Sequence, residues 1–185
     1  IMLMAGMNAL VGGLMGMNQS QLRTIMAYSS IGHIGWMLSL LAVFKPNASI
    51  LYFMIYSMLI APLFMYMSYF NINSTKTMNK LASIKSSVPL VMTILLLSLG
   101  GLPPLTGFLP KFMTIMTLME SMKITVLLLI AGSVMNLYFY LNIAINLMIT
   151  SPTKKMMIPM NNNSDKYIII AMSGLSLGLT PLIMM

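Results

Sequence analysis

The sequence contains no cysteine, and its 185 residues include only two acidic side chains and one histidine. Without cysteine, the chain has no disulfide, thiolate metal site or iron–sulfur cluster of its own. Metal ions in proteins are held by several carboxylate, imidazole or thiolate groups, and too few of these are available here. We therefore expect no metal site, no bound cofactor and no redox centre in this chain.

Charge of either sign is also scarce. Charged residues make up 6% of the sequence, whereas a soluble domain has about 25%. Apolar residues make up 58% and occur in several long runs, which predicts an integral membrane protein rather than a signal peptide and a globular core. The net charge of +8 does not predict a nucleic-acid partner, because the basic residues lie between apolar runs and form no stripe with aromatic residues.

The apolar runs predict an all-α membrane fold of about six transmembrane helices. The predicted spans are residues 1–17, 24–44, 48–70, 88–119, 124–149 and 167–185. Four glycines in the first span suit close packing between helices. The fourth span is longer than the roughly 20 residues that a straight helix needs to cross a bilayer, and this excess fits two half-helices with an unwound centre.

The unwound centre is predicted from glycine and proline within the fourth span. The residues concerned are Gly100, Gly101, Pro103, Pro104, Gly107 and Pro110. Glycine weakens a helix and proline interrupts it, so we expect the fourth helix to be broken at Gly100–Pro104. A membrane tolerates such a break only where protein or a water-filled cavity satisfies the freed backbone groups. Broken helices of this kind line ion paths in transporters.

Lys111 follows the break and is the only charge deep inside a predicted span. A lysine near the bilayer centre costs roughly 2.5–3.5 kcal/mol, so Lys111 is predicted to be a proton-path residue. A helix beginning near Leu105 would direct the positive end of its dipole at the break, a field that opposes a cation. The alternative is a lysine that extends to the lipid headgroups.

His33 lies near the middle of the second span and shares one face with Ser29 and Trp36. A neutral imidazole there can pass protons through water, which would make His33 a second proton-path residue. Alternatively, a neighbouring hydroxyl or carbonyl satisfies the ring, and the histidine serves packing alone. Both interpretations of His33 remain open at this stage.

The fifth span carries Asn136 and Tyr140 on one face, together with Ser133. Polar groups of this kind usually hydrogen-bond neighbouring helices, at about 1 kcal/mol each, and we favour that role. No predicted span contains a carboxylate or a second lysine, although a proton path normally uses several titratable stations.

Lysine and arginine in the loops predict the orientation. Loops after the first, third and fifth spans hold Arg23, Lys76, Lys80, Lys85, Lys154, Lys155 and Lys166, whereas the other two loops hold Lys45 and Lys123. We therefore expect both termini on the side opposite the basic loops.

Two stretches are specific enough to indicate a family. One combines Asn-Gln-Ser-Gln-Leu-Arg over residues 18–23 with Ala-Tyr-Ser-Ser-Ile-Gly-His-Ile-Gly-Trp over 27–36. The other is Gly-Gly-Leu-Pro-Pro-Leu-Thr-Gly-Phe-Leu-Pro-Lys over 100–111. Together with Asn-Leu-Tyr-Phe-Tyr-Leu over 136–141, they resemble mitochondrial NADH dehydrogenase subunit 2, an antiporter-like membrane subunit of respiratory complex I. Subunits 4 and 5 fit these motifs less well.

The resemblance implies a function. It implies a multi-pass subunit of proton-translocating NADH:ubiquinone oxidoreductase in the mitochondrial inner membrane, with its C-terminus toward the intermembrane space. Residues 1–185 would form one antiporter-like domain, in which Lys111 matches the family's central proton-path lysine and His33 a histidine of less certain role. NADH, FMN, iron–sulfur clusters and ubiquinone would be handled by other subunits. The expected partners are other membrane-arm subunits, including antiporter-like neighbours, and phospholipids such as cardiolipin.

The sequence departs from the family's pattern in two respects. It lacks the N-terminal half that carries an intramembrane glutamate and two further lysines, and Thr24 replaces a basic residue that is common in the family. We expect either a naturally shortened subunit or a part of one. The alternative function is a non-pumping structural spacer, which a continuous hydrated route from the matrix to Lys111, built from other chains, would argue against. A stand-alone secondary transporter is disfavoured, because one broken helix has no inverted counterpart.

Overall fold

The computed structural model describes residues 1–69, 74, 87–103, 105–120 and 122–149. Within these residues the chain forms six helices: α1 (Met2–Met17), α2 (Leu22–Ala42), α3 (Pro46–Tyr69), α4 (Ser87–Gly100), α5 (Phe108–Leu118) and α6 (Lys123–Ile149). The predicted all-α class is confirmed for this part of the chain. The predicted span over 167–185, Pro104 and most of the basic loop residues lie outside the described residues.

Three of these helices, α2, α3 and α6, are long and apolar enough to cross a membrane. They contain 21, 24 and 27 residues, compared with the roughly 20 that a bilayer requires. The helices α1, α4 and α5 are also apolar, but they contain only 16, 14 and 11 residues. The fold is therefore a multi-pass helical membrane bundle.

Two helix starts differ from the sequence prediction for local reasons. The helix α3 begins at Pro46 rather than at residue 48, because proline fits the first helical turn, where no amide partner is needed. The helix α5 begins at Phe108 rather than near Leu105. Amides of Leu105 and Phe108 bond the carbonyls three residues earlier, which makes tight turns before the α-helix starts.

The helix α1 lies against α2 and α6 with the backbones nearly in contact. A Cβ added at Gly12 would come within 2.6 Å of the Tyr28 carbonyl oxygen, and one added at Gly35 within 2.6 Å of the Ala5 carbonyl oxygen. Lipid tails are as apolar as leucine, so helices in a membrane associate by close packing, which small residues permit. These glycines let α1 fit tightly between its neighbours.

The buried apolar residues form two clusters at different levels of the bundle. One comprises Leu22, Ile25, Met26, Leu59, Leu63, Tyr66, Met67, Met92, Leu95, Leu96, Leu99, Phe139, Tyr140, Ile143 and Leu147. The other comprises Ala9, Trp36, Leu40, Tyr52, Leu118, Val126 and Leu129. Along α2 and α6, buried polar residues that include His33 and Asn136 lie between the two clusters. The middle of the bundle is therefore polar.

Candidate functional site

The site begins where α4 ends. Gly101 has a φ of 82°, a left-handed conformation that favours glycine. Its amide donates to the Ser98 carbonyl at 3.0 Å, and the Leu102 amide donates to the Leu97 carbonyl at 3.4 Å. These two bonds form the glycine-dependent cap that commonly terminates helices. They leave the carbonyls of Leu99 and Gly100 without a backbone partner from this cap.

The helix α5 starts beside the last turn of α4. Gly107 precedes its first residue and lies directly against the Ser98 carbonyl, where any Cβ would collide with backbone atoms. Pro110 is the third residue of α5, and its missing amide hydrogen costs nothing in the first helical turn. Because Gly107 has no side chain, the start of α5 can pack directly against the last turn of α4.

Lys111 joins these two helix ends. Its Nζ donates to the Gly100 carbonyl at 2.8 Å and to the Leu99 carbonyl at 3.3 Å, and the residue is only 6% exposed. The lysine therefore satisfies the two carbonyls that the cap leaves free. The alternative of a side chain extending to headgroups does not fit this geometry.

The electrostatic field predicted at Lys111 includes only one of the two helix ends that lie beside it. The sequence predicts a repulsive field from the positive N-terminal end of α5, whereas Nζ lies at the C-terminal carbonyls of α4. That end of a helix carries partial negative charge and attracts a cation. The ammonium group is therefore stabilised by backbone dipoles. None of the described residues is a buried carboxylate that could pair with it.

Gly101 is required for a second reason besides its backbone conformation. A Cβ added there would lie 2.9 Å from both Cδ and Nζ of Lys111, so the lysine side chain runs over the bare glycine backbone. Among the other residues of the predicted break, Pro103 lies in the exposed part of the turn. The turn is thus shaped to hold the lysine.

His33 is 4% exposed and faces α3. Its Nδ1 lies 2.9 Å from the Tyr52 hydroxyl, and its ring centroid lies 4.7 Å from that of Tyr56. The hydroxyl partner expected from the packing interpretation is therefore present. The opposite nitrogen, Nε2, is buried with no partner among the described residues, so half of the ring is left for another ligand.

A small cavity connects His33 with the start of α5. It has a volume of about 10 Å³ and is lined by His33, Tyr52, Ile55, Tyr56, Leu59, Leu99, Gly107 and Pro110. That volume is roughly what one water molecule needs. Of these lining residues, Leu99 accepts a hydrogen bond from Lys111 and Pro110 precedes it in the chain. The structure thus brings the two predicted proton-path residues to one region of the bundle.

Several polar groups at this level were not predicted from the sequence. Tyr52 and Tyr56 lie four residues apart on α3, and this helical spacing was a signal that could have linked them to His33. Thr106 is buried in the turn before α5, and its hydroxyl has no partner among the described residues. The described residues contain no group of histidine, aspartate and glutamate suited to a metal ion.

Comparison with known families agrees with this architecture. A family model described as NADH:quinone oxidoreductase/Mrp antiporter, transmembrane, matches residues 1–136. The chain belongs to this family of antiporter-like membrane proteins, and the resemblance inferred from the two motifs is confirmed.

Individual relatives indicate which member of this family the chain is similar to. The chain is 59% identical to NADH-ubiquinone oxidoreductase chain 2 of Lumbricus terrestris over 98% of this chain and 54% of the relative. It is 40% identical to the mouse protein of the same name, over 89% of this chain and 46% of that protein. The chain thus spans about half the length of the curated relatives it matches.

A solved structure shares the fold. One chain of respiratory complex I from Thermus thermophilus superimposes with a TM-score of 0.85 at 24% identity, covering 98% of this chain and 43% of that one. The arrangement of helices around the α4–α5 junction therefore belongs to an architecture known from that complex.

Proposed function

We propose that this chain is part of a membrane-arm subunit of respiratory complex I in the mitochondrial inner membrane. There it contributes to proton translocation coupled to electron transfer from NADH to ubiquinone. The family match and the names of the relatives support this function. The observation that carries it is the buried Lys111 ammonium, held by free carbonyls where α4 ends. As a translocase subunit, the chain has no redox centre, and NADH, FMN, iron–sulfur clusters and ubiquinone act elsewhere in the complex.

In this proposal, α4 and α5 are the two halves of one broken membrane span. At 1.5 Å per residue they are about 21 Å and about 17 Å long, and each is shorter than a hydrocarbon core of about 30 Å. With a further span over 167–185, the chain crosses the membrane six times as one antiporter-like domain. The loop charges then orient the basic loops toward the matrix and the C-terminus toward the intermembrane space.

The geometry supports proton transfer at Lys111 in a specific way. An ammonium group has three donors, and two of them meet the Gly100 and Leu99 carbonyls. The third is available for water or another acceptor. The Nε2 of His33 has no partner among the described residues, and His33 lines a cavity large enough for about one water. We infer that His33 is a second station, which relays protons by way of that water.

The outer faces of the bundle fit the expected partners. Large apolar side chains such as Phe53, Met54 and Met58 on α3 and Val134 on α6 are exposed. Within a membrane such faces contact lipid tails or other transmembrane helices. We propose that they contact neighbouring membrane-arm subunits, including antiporter-like ones, and phospholipids such as cardiolipin.

Replacement of Lys111 by methionine tests the proposal directly. Methionine keeps most of the apolar stem but cannot bind a proton, so the assembled complex should oxidise NADH while moving fewer protons per electron. The proton-to-electron ratio is measured in inner-membrane vesicles. The matched control is Lys123→Met, which removes an exposed lysine at the start of α6 and should leave the ratio unchanged.

An unchanged ratio in Lys111→Met, with normal assembly, would contradict pumping through this chain. The structural-spacer alternative would then be favoured. That alternative has one observation behind it: among the described residues, Lys111 is the only buried lysine, arginine, aspartate or glutamate. A spacer predicts that Lys111→Met and Lys123→Met behave alike in pumping and differ only in stability.

A further inference from the structure

The turn between α2 and α3 has a phenylalanine in a position that favours glycine. Phe44 has a φ of 56° and is the only residue other than glycine with a left-handed backbone in the part of the chain that the structure describes. This conformation brings Cβ too close to a carbonyl oxygen, which is unfavourable for residues that have a side chain. The local backbone therefore does not explain why residue 44 is a phenylalanine.

Hydrogen bonds fix the shape of this turn. The Lys45 amide donates to the Leu40 carbonyl at 3.1 Å, and the Phe44 amide donates to the Leu41 carbonyl at 3.1 Å. These two bonds form a Schellman motif, a helix end in which glycine commonly takes the left-handed position. The helix α3 begins directly afterwards at Pro46, so only three residues connect the two helices. Phe44 is thus held in one defined position.

Packing within the chain does not explain the phenylalanine either. Phe44 is 90% exposed, more than any other large apolar residue among those described. Val43, just before it, packs against the buried cluster that contains Trp36 and Leu40, whereas Phe44 is not part of that cluster. A contact outside the chain can supply the stabilisation that the chain itself does not.

The length of α2 places Phe44 at one boundary of the membrane. Arg23 lies in the first turn of α2, and Lys45 follows its last turn. At 1.5 Å per residue these two charges are about 33 Å apart along the helix axis, close to the hydrocarbon thickness of about 30 Å. Because both charges favour the headgroup layers, Phe44 lies where the hydrocarbon meets one of these layers.

Neighbouring helices mark the same boundary. Leu118 at the end of α5 and Val126 in the first turn of α6 belong to the same buried cluster as Leu40. Lys123, the first residue of α6, is exposed close to this level. The turn at Phe44 also cannot extend far into water, because three residues reach at most about 10 Å and have to join helix axes that are typically about 8–10 Å apart.

We propose that Phe44 is a lipid anchor, whose ring inserts between phospholipid molecules at the boundary of the hydrocarbon core. Interfacial segments bury phenylalanine about 5–10 Å into this boundary. Lys45 beside it is exposed and places an ammonium group at the level of the anionic lipid phosphates. Contact of the ring with lipid offsets the backbone strain at residue 44. The anchor requires only that α2 and α3 cross a membrane, so it does not depend on proton translocation.

Photolabelling of the native complex tests the contact with lipid. Inner-membrane vesicles are irradiated with an apolar diazirine dissolved in the lipid or with a polar diazirine dissolved in the water, and labelled residues are identified by mass spectrometry. Asn47 is the internal control, because it is exposed and polar in the first turn of α3. We expect the ratio of apolar to polar labelling to be at least ten-fold higher at Phe44 than at Asn47.

Replacement of Phe44 by glycine tests whether the ring stabilises the turn. Phe44→Gly relieves the left-handed strain, so without an anchor the turn would open less often and its amides would exchange hydrogen more slowly. With an anchor, loss of the ring outweighs this relief. Exchange at the Lys45 amide should then become about ten-fold faster, equivalent to about 1.4 kcal/mol in the opening step.

Hydrogen exchange is followed by mass spectrometry on the assembled complex in lipid nanodiscs, with correction for the intrinsic rates of the two sequences. The matched control is Phe44→Tyr, which keeps an aromatic ring at the boundary and should leave the exchange rate unchanged. Both variants keep the hydrogen bonds of the turn, because these bonds use backbone groups alone.

Three results would overturn the lipid anchor. Labelling of Phe44 by the polar reagent alone would show that the ring lies in water. Labelling by neither reagent would show that another protein subunit covers the ring. Unchanged or slower exchange in Phe44→Gly would show that the ring does not stabilise the turn. None of these results changes the outcome expected for Lys111→Met, so the anchor and the proposed function can fail separately.

Discussion

The two glycine-rich regions of this molecule, α1 and the α4–α5 junction, use glycine in opposite ways. In α1, buried alanine and glycine bring the helix backbones of α1, α2 and α6 together with almost no side chains between them. At the α4–α5 junction, glycine and proline end one helix and start another, and a lysine side chain fills the space between them. The first region is closely packed, and the second is held by hydrogen bonds to backbone carbonyls.

This difference shows that glycine content alone does not reveal what a transmembrane segment does. Glycine at helical spacing without proline, as in α1, permits close packing. Glycine combined with proline and one charge, as in the α4–α5 junction, exposes backbone groups that need partners. Glycine substitutions in each region test whether the two regions differ as the structure indicates.

The largest effect is expected at the α1 interface. In Gly12→Ala the new Cβ would lie 2.6 Å from the Tyr28 carbonyl oxygen and 2.7 Å from the Gly32 nitrogen, and backbone cannot move aside. We expect a loss of about 3 kcal/mol in the free energy of unfolding, the upper end of ordinary overpacking costs. Assembled complex should fall sharply on native gels.

Gly6→Ala is the matched control for the α1 interface. There the new Cβ would lie 2.8 Å from Leu128 Cδ1, which can turn away, and 3.3 Å from Leu128 Cβ, which needs to shift by only a few tenths of an ångström. Near-normal assembly is expected. Equal losses in the two variants would mean that α1 is not held by backbone contact at Gly12.

An intermediate effect is expected at the junction. Gly101→Ala forces a non-glycine residue to a φ of 82° and pushes a methyl group into Lys111. The strain should cost about 2 kcal/mol, and displacement of the lysine should lower the proton-to-electron ratio as well. Thermal unfolding of the purified complex and proton pumping in vesicles measure the two effects.

Gly100→Ala should separate backbone conformation from simple crowding. An added Cβ at Gly100 comes no closer than 3.4 Å to Leu137, which is ordinary contact. We expect little loss of stability or pumping. If Gly100→Ala is as defective as Gly101→Ala, then neither the left-handed conformation of Gly101 nor its contact with Lys111 explains the defect of Gly101→Ala.

The smallest effect on stability is expected at His33. Tyr52→Phe removes the hydroxyl that lies 2.9 Å from Nδ1, and a hydrogen bond between transmembrane helices contributes about 0.6 kcal/mol. The variant should assemble normally but pump less efficiently if His33 is a relay. Tyr138→Phe, at an exposed tyrosine on α6, should change neither property. Normal pumping in Tyr52→Phe would favour the packing interpretation of His33.

Much of the fold could be predicted from the sequence, because membrane helices are apolar runs bounded by polar turns. The bounds of α1, α2, α3 and α6 lie within a few residues of the predicted spans. The helix α4 ends at Gly100, the first residue of the predicted break. The start of α5 was predicted too early, because the tight turns around Leu105 depend on packing against α4 and not on local propensity.

The candidate site was only partly predictable. Burial of Lys111 followed from its position in an apolar span, but its carbonyl partners depend on how two helix ends cross. The pairing of His33 with Tyr52 joins different helices, and no local pattern specifies it.

The two backbone carbonyls that bind Lys111 affect how readily the lysine can gain and lose a proton. In a buried ion pair, discharging one partner strands the other as an isolated charge, which is strongly destabilising. The oxygens of Leu99 and Gly100 carry no net charge, so a neutral amine leaves nothing stranded behind it. Backbone carbonyls can therefore hold the lysine in its charged form and in its neutral form. Repeated gain and loss of a proton requires that both forms be stable at this site.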